Sequence, residues 1–386
     1  MNARFAKISA AIAALALAAG GCAAQPEASK VASTNASTSL NSYRPLGVVV
    51  LVDGTVGVVD MLHFDVVQQI KIGHSGVHQV AMLPGNRTFY TGNLDDNTIV
   101  KVTLSDDGKT NKQQVVTKSP INLHLLTSSP DGKFVVITSR LELRDTMVLP
   151  SSGLPDDSIA ILDTATDKII KVLPLQSPAM AAFPTDGKQL FVNNVHDGSV
   201  SVIDTATWTE TARWNVADAP TKALYNGEKV ISPDGLDVSP DGKWLAAADY
   251  DLRTITVWEV GNPANKRKIA YKDGEGLPHD VRFSPDGKEL WATDYDRHPS
   301  PAQEVDNNNI KTHIRIFDTV TLAQLRAFQP ARKVQRISLP QYNKDIAFLT
   351  TGVGSVLMID RATGAMQGEA LIGGLGRPVV CGMTTY

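Results

Sequence analysis

A five-residue phrase, Ser-Pro-Asp-Gly-Lys, occurs at 129–133, 239–243 and 284–288, with looser copies at Pro84-Gly85-Asn86-Arg87 and Pro184-Thr185-Asp186-Gly187-Lys188. Proline presets φ at the first turn position and glycine accepts positive φ, so each copy marks a hairpin reversal between two strands. Nine residues beyond each proline a small polar residue ends an apolar run: Asn93, Ser139, Asn193, Asp249 and Asp294. A second phrase, Ile161-Leu162-Asp163-Thr164-Ala165-Thr166, returns as Val202-Ile203-Asp204-Thr205-Ala206-Thr207, Ile316-Phe317-Asp318-Thr319 and Met358-Ile359-Asp360-Arg361-Ala362-Thr363. It marks another strand and turn. A chain that repeats in this way must be divided by its repeats rather than by its length.

Each unit reads strand a, Ser-Pro-Asp-Gly turn, strand b, variable loop, strand c, Asp-Thr-Ala-Thr turn, strand d, the strands being short apolar and β-branched runs. Prolines 84, 130, 184, 240, 285 and 340 register six such units, roughly 45 to 56 residues apart, the size of a propeller blade with loops. The leftover ends complete a seventh, with 47–72 supplying strands b, c and d and 377–383 supplying strand a. The expected fold is therefore all-β: one seven-bladed β-propeller over 46–386, built of four-stranded antiparallel blades. Pairing of the N-terminal strands with the C-terminal strand closes the ring, and closure is expected to leave no open sheet edge.

The strand-b endings Tyr90-Thr91-Gly92-Asn93 and Phe191-Val192-Asn193-Asn194, taken with the Ser-Pro-Asp-Gly-Lys turns, resemble the bacterial YVTN-type β-propellers. That superfamily also holds the propeller of the haem nitrite reductase and the quinoprotein amine dehydrogenase heavy chains. The resemblance spans roughly residues 46 to 386 and implies a fold; such propellers host many unrelated functions.

The N-terminus reads as an export signal over 1–21. Arg4 and Lys7 give a positive start, and Ile8 to Ala19 is an apolar run of about 18 Å as a helix, too short for a bilayer core of about 30 Å. Ala19-Gly20-Gly21-Cys22 resembles a bacterial lipobox, with Ala19 standing where Leu is usual, and implies lipidation of Cys22. Residues 22–45 are rich in Ala, Ser, Thr and Asn and read as a flexible tether. The expected location is the bacterial periplasm, lipid-anchored at the outer membrane, with no other membrane contact. Basic and acidic residues balance at a net charge of -3 with no like-charged block, which argues against nucleic acid as a partner. Two cysteines make neither a disulfide framework nor a Cys-x-x-Cys zinc site, and Cys381 reads as a small buried hydrophobe.

Strands alternate in direction, so the a–b and c–d turns share a lower face while the b–c and d–a connections share an upper one. The upper set carries the long insertions, 140–157, 217–232 and 294–312, and insertions gathered on one face mark a binding face. His78, His124 and His279 each lie six residues before a register proline, a common rung at the upper mouth of the channel. Imidazole ligates metals and haem, so this ring could hold a cofactor, haem or copper being the candidates. Its span disfavours a single three-histidine zinc ion. Asp234, with Asp249-Tyr250 and Asp294-Tyr295, completes the expected ligand-binding set at that mouth. The pair His74 and His78 has metalloprotease spacing but lacks the glutamate and the helix, and no Gly-x-Ser-x-Gly, P-loop or Cys-x-x-Cys-His occurs. The expectation is a non-enzymatic module that binds a protein or small ligand on its upper face. The alternative is a haem- or metal-binding redox or cofactor-maturation protein; any enzyme here would be an oxidoreductase.

Overall fold

The computed structural model describes residues 44–51, 53–74, 76–77, 79–139, 154, 157–195, 197–218, 224–225, 228–229, 233–272, 276–295, 313–372 and 380–384. Its architecture grows from the two turns. In the first, the Ser129 hydroxyl donates to Asp131 (2.7 Å), the same carboxylate oxygen accepts from the Lys133 amide (3.1 Å), and Gly132 takes φ +71°. Ser239 with Asp241 (2.7 Å) and Ser284 with Asp286 (2.6 Å) repeat it. In the second, Asp163 accepts from the amide and hydroxyl of Thr166 (2.8 and 2.7 Å), and Asp204, Asp318 and Asp360 do the same for Thr207, Thr321 and Thr363. Both turns satisfy the backbone with groups a few residues away, which is why they are visible as short phrases.

Seven four-stranded antiparallel sheets follow. Blade 1 holds β1 (Leu46–Leu51), β2 (Thr55–Asp60) and β3 (Asp65–Lys71). Blade 2 is β4 (Ala81–Met82), β5 (Thr88–Asn93), β6 (Thr98–Leu104) and β7 (Asn111–Lys118), and blade 3 is β8 (Leu125–Ser128), β9 (Phe134–Ser139), β10 (Ser158–Asp163) and β11 (Lys168–Pro174). Blade 4 is β12 (Pro178–Ala182), β13 (Gln189–Asn194), β14 (Ser199–Asp204) and β15 (Thr209–Asn215); a hairpin of β16 (Leu224–Tyr225) and β17 (Glu228–Lys229) follows it. Blade 5 is β18 (Pro233–Val238), β19 (Trp244–Asp249), β20 (Thr254–Glu259) and β21 (Asn262–Ala270), and blade 6 is β22 (Leu277–Phe283), β23 (Glu289–Tyr295), β24 (Ile314–Asp318) and β25 (Gln324–Phe328). Blade 7 is β26 (Val334–Ser338), β27 (Ile346–Thr351), β28 (Ser355–Asp360) and β29 (Met366–Leu371). The last strand, β30 (Val380–Thr384), pairs antiparallel with β1 as the inner strand of blade 1, so the ring closes as expected, a few residues later than 377–383.

Strand alternation divides the core into seven seams, one between each pair of neighbouring blades. On β1, Val48 and Val50 face Met82 and Phe89 of blade 2, whereas Val49 and Leu51 face Phe348 and Val356 of blade 7. Trp258 packs in the seam of blades 4 and 5, and Trp291 in that of blades 6 and 7. On the lower face the repeated turns nest: a Cβ added at Gly132 would lie 2.8 Å from Pro84 of the preceding blade, and one at Gly242 would lie 3.6 Å from Pro184.

One expectation needs correcting. Closure does not abolish sheet edges, because each blade ends in an outer strand, β3, β7, β11, β15, β21, β25 or β29, with no outer neighbour among the described residues. Each of these strands instead breaks register with its inner partner. Ile170 of β11, for example, is skipped between Lys171 and Ile169. Interrupting the ladder in this way blunts an exposed edge against pairing with another chain.

Candidate functional site

The inner strands line a central channel, and four of them meet in one polar cluster. Asp234 on β18 accepts from His279 Nε2 on β22 (3.0 Å) and from the Tyr250 hydroxyl (2.8 Å), both on oxygen Oδ2, with the Arg336 guanidinium of β26 at 3.6 Å from the same atom. The Tyr250 and His279 rings stack at 5.5 Å and 17°. The other imidazole nitrogen, Nδ1, lies 3.0 Å from the Gln335 carbonyl. A carbonyl only accepts, so Nδ1 carries a proton.

Arg336 is the hub. It bonds Asp280 of β22 (3.2 Å) and reaches the Met180 sulfur of β12 (3.4 Å), while the second oxygen of Asp280 accepts from the Ile337 amide (2.9 Å). Blades 4 and 7 are three steps apart, as far as a ring of seven allows, so the guanidinium lies across the channel. Burial works against its charge, but Asp280 and Asp234 together strengthen it beyond that of a free arginine. A second layer pairs Arg282 with Asp280 (3.4 Å) and seats Asp237 against the Phe283 amide (2.7 Å). Burial pushes the Asp237 carboxyl up to about 6, with Arg282 opposing it. Asp234, Asp237 and Asp280 thus stand against Arg282, Arg336 and His279, and the cluster ties the inner strands of blades 4 to 7 to one another.

The structure brings together three of the residues expected at the mouth, Asp234, Tyr250 and His279. His124 is buried immediately before β8 on blade 3. His78 and Cys22 lie outside the described residues, as does the side chain of Tyr295. Asp249 and Asp294, expected on the rim, are fully buried instead. Asp249 caps its own turn, accepting from the Leu252 amide (2.7 Å), but its Oδ2 has no hydrogen-bond partner among the described residues. Burial pushes this carboxyl up to about 7, with Asp251 adding to the effect. Asp294 is also raised by burial, held back by Arg315 at 2.9 Å. Among the described residues no group of three or more His, Cys, Asp and Glu is placed to hold a metal ion. His279 has both nitrogens engaged, so a metal could take it only by displacing Asp234 or Gln335.

Sequence reasoning missed Arg336, Asp280, Arg282 and Asp237. Pro340 registers blade 7, but none of these four residues falls on the rung six before a register proline, and the Met180 partner of Arg336 is 156 residues away. A signal did exist at Ser232-Pro233-Asp234-Gly235, a copy of the turn phrase that here begins a strand, β18. Its glycine is needed for another reason: the backbone carbonyl of His279 occupies the space a Cβ at Gly235 would take.

No protein-family model and no curated protein matches this sequence. Among solved structures it is similar to the crystal structure of a functionally unknown protein from Desulfotomaculum acetoxidans DSM 771, with a TM-score of 0.67. The two share 13% identity over 88% of this chain and 98% of that one, a likeness of fold.

Proposed function

We propose that this chain is an exported propeller of the YVTN type, lipid-anchored through Cys22 to the outer membrane of a bacterial periplasm, and that its upper face binds a protein or small ligand. One observation carries the binding part. The b–c connections of blades 2, 5 and 7, 94–97, 250–253 and 352–354, are tight, whereas those of blades 3 and 6 run 140–157 and 296–313. The connection from blade 4 to blade 5 adds 216–232 on the same face. By topology these three long connections begin and end on the upper face, and the described lower turns are short. The ion cluster supports the same division of labour: its groups satisfy one another and hold the wall, leaving recognition to the loops above.

The test is site-specific photo-crosslinking in cells, with the crosslinker at 148 or 303 in the upper insertions and, as control, at Lys243 in a lower turn. The reading expects a discrete adduct from the upper positions that disappears when 140–157 and 296–312 are each replaced by the Tyr250–Arg253 turn. Equal labelling from Lys243, or an adduct indifferent to the loop exchange, overturns it. A visible absorption band or stoichiometric metal in the purified chain, lost in His124→Ala or His279→Ala, would replace it with the cofactor alternative.

A further inference from the structure

The outer strands of the blades differ in how their charges are committed. On β21, Lys266 and Lys268 both reach Asp218 (2.7 Å each), and on β25 Arg326 is bound to Glu289 (2.7 Å). Strands β3, β15 and β29 contain acids of their own, Asp65, Glu210 and Glu369. The neighbours β7 and β11, reading NKQQVVTK and KIIKVLP, contain four lysines and no acid. Among the described residues no carboxylate stands within ion-pair distance of Lys118, Lys168 or Lys171. The acid facing Lys118 is Asp96, whose carboxylate is already held by the hydroxyl and amide of Thr98.

Between these two strands lies a groove of about 520 Å³ lined by those three lysines, Pro120, Ile169 and Ile170. Its lining is apolar as well as basic, with Ile170 49% and Val172 38% exposed, and Val115, further along β7, is 62% exposed. Exposed β-branched side chains set among unpaired lysines on adjoining strands are the two halves of a recognition surface for a chain that is acidic and partly apolar. The register break at Ile170 blocks simple strand addition along β11, so recognition there runs through side chains. A flat headgroup layer would touch the exposed Pro120 and Ile170 but not the half-buried Ile169, which favours a segment that inserts a side chain.

We propose that this groove docks an acidic, extended segment of a partner protein carrying at least one apolar anchor. The site is on the side of the propeller and is independent of the upper face.

The experiment is a selection of randomised twelve-residue displayed peptides on the mature chain, residues 22–386, followed by affinity measurement of the winners. The groove predicts enrichment of Asp and Glu around one large apolar residue. It also predicts binding roughly tenfold weaker for Lys118→Glu/Lys168→Glu/Lys171→Glu, a smaller loss for Ile170→Ser, and weakening with salt in the wild type. Thermal melting and near-ultraviolet circular dichroism equal to wild type establish that the variants fold. Winners without acidic bias, or acidic winners that bind the triple variant equally well, overturn the proposal. So does lysine-dependent sedimentation with phosphatidylglycerol vesicles in the absence of any acidic winner, which would make the surface a membrane contact.

Discussion

Arg336→Met removes the one cation that touches the inner strands of three other blades. The methionine keeps the apolar stem and its packing, so the change isolates the charge. What it leaves is Asp280, fully buried, and Asp234, 3% exposed. Asp280 retains Arg282 at 3.4 Å and Asp234 retains His279 at 3.0 Å, so each is weakened rather than orphaned, but the cluster as a whole has lost one positive charge. Removing one partner of a buried pair costs about 3 to 5 kcal/mol. For a domain of ~340 residues the unfolding entropy at the midpoint is on the order of 0.7 kcal/mol/K, so the expected fall in Tm is roughly 4 to 7 °C. Adding Asp280→Asn to Arg336→Met restores the balance, leaving Asp234 with His279 and Asp237 with Arg282. The double variant should therefore recover much of the loss, and a thermodynamic cycle by denaturant unfolding should return a coupling of at least about 1.5 kcal/mol. Additive effects, or an Arg336→Met variant within about 1 °C of wild type, would show that the guanidinium is solvated and that the channel is not held shut by it.

Asp249 gives a pH prediction. Its folded carboxyl sits near 7 against 3.8 for the free group, so the folded state is favoured at low pH and loses that advantage as pH rises through 7. Asp249→Asn keeps the acceptor for Leu252 and removes the ionisation. A shift of about 3 units is worth about 4 kcal/mol, so the variant should gain on wild type between pH 5 and pH 8, and a Tm difference that stays flat across that window refutes the assignment. Gly132 and Gly242 share φ +71°, so alanine at either carries the same backbone strain of about 1 kcal/mol. Only Gly132→Ala also meets Pro84 at 2.8 Å, and urea unfolding should find it the more destabilised by about 1 to 2 kcal/mol. Cys22→Ser should move the protein from the membrane to the soluble fraction, and an intact mass showing an unmodified N-terminus near Gln25 in the wild type would remove the lipid anchor.

The propeller was legible because its rules are local. Ser129, Asp131 and Gly132 build a turn within five residues, and Val48 and Val49 face opposite seams because neighbouring strand positions always do. Even the circular closure could be read, since three strands left over at one end and one at the other complete a blade only by pairing with each other. The rim was read less well. Asp249 and Asp294 stand at the repeat's own polar position, which suggests solvent, but both are fully buried, and Asp294 lies against Gly276, a neighbour that no local pattern names.

The cluster around Arg336 was illegible for a related reason, and that reason bears on how the fold divides structure from recognition. Its members come from blades 4 to 7, and although Asp234 and His279 share the rung six residues before their register prolines, nothing in the spacing brings Arg336 to them. The repeat phrases conceal it further, since Ser232-Pro233-Asp234-Gly235 looks like one more turn. A repeat fold specifies each blade by local rules and each seam by alternation, but neither rule says what fills the channel where the inner strands converge. There the polar starts of the strands must either meet water or satisfy one another. In blades 4 to 7 they do the latter, with Arg336 and Arg282 set among Asp234, Asp237 and Asp280. The cost is that His279, one of the three histidines the sequence recommends as ligands, is engaged on both nitrogens before any ligand arrives. Recognition is then left to surfaces the repeat does not constrain: the insertions above the channel mouth and the unpaired lysines of β7 and β11.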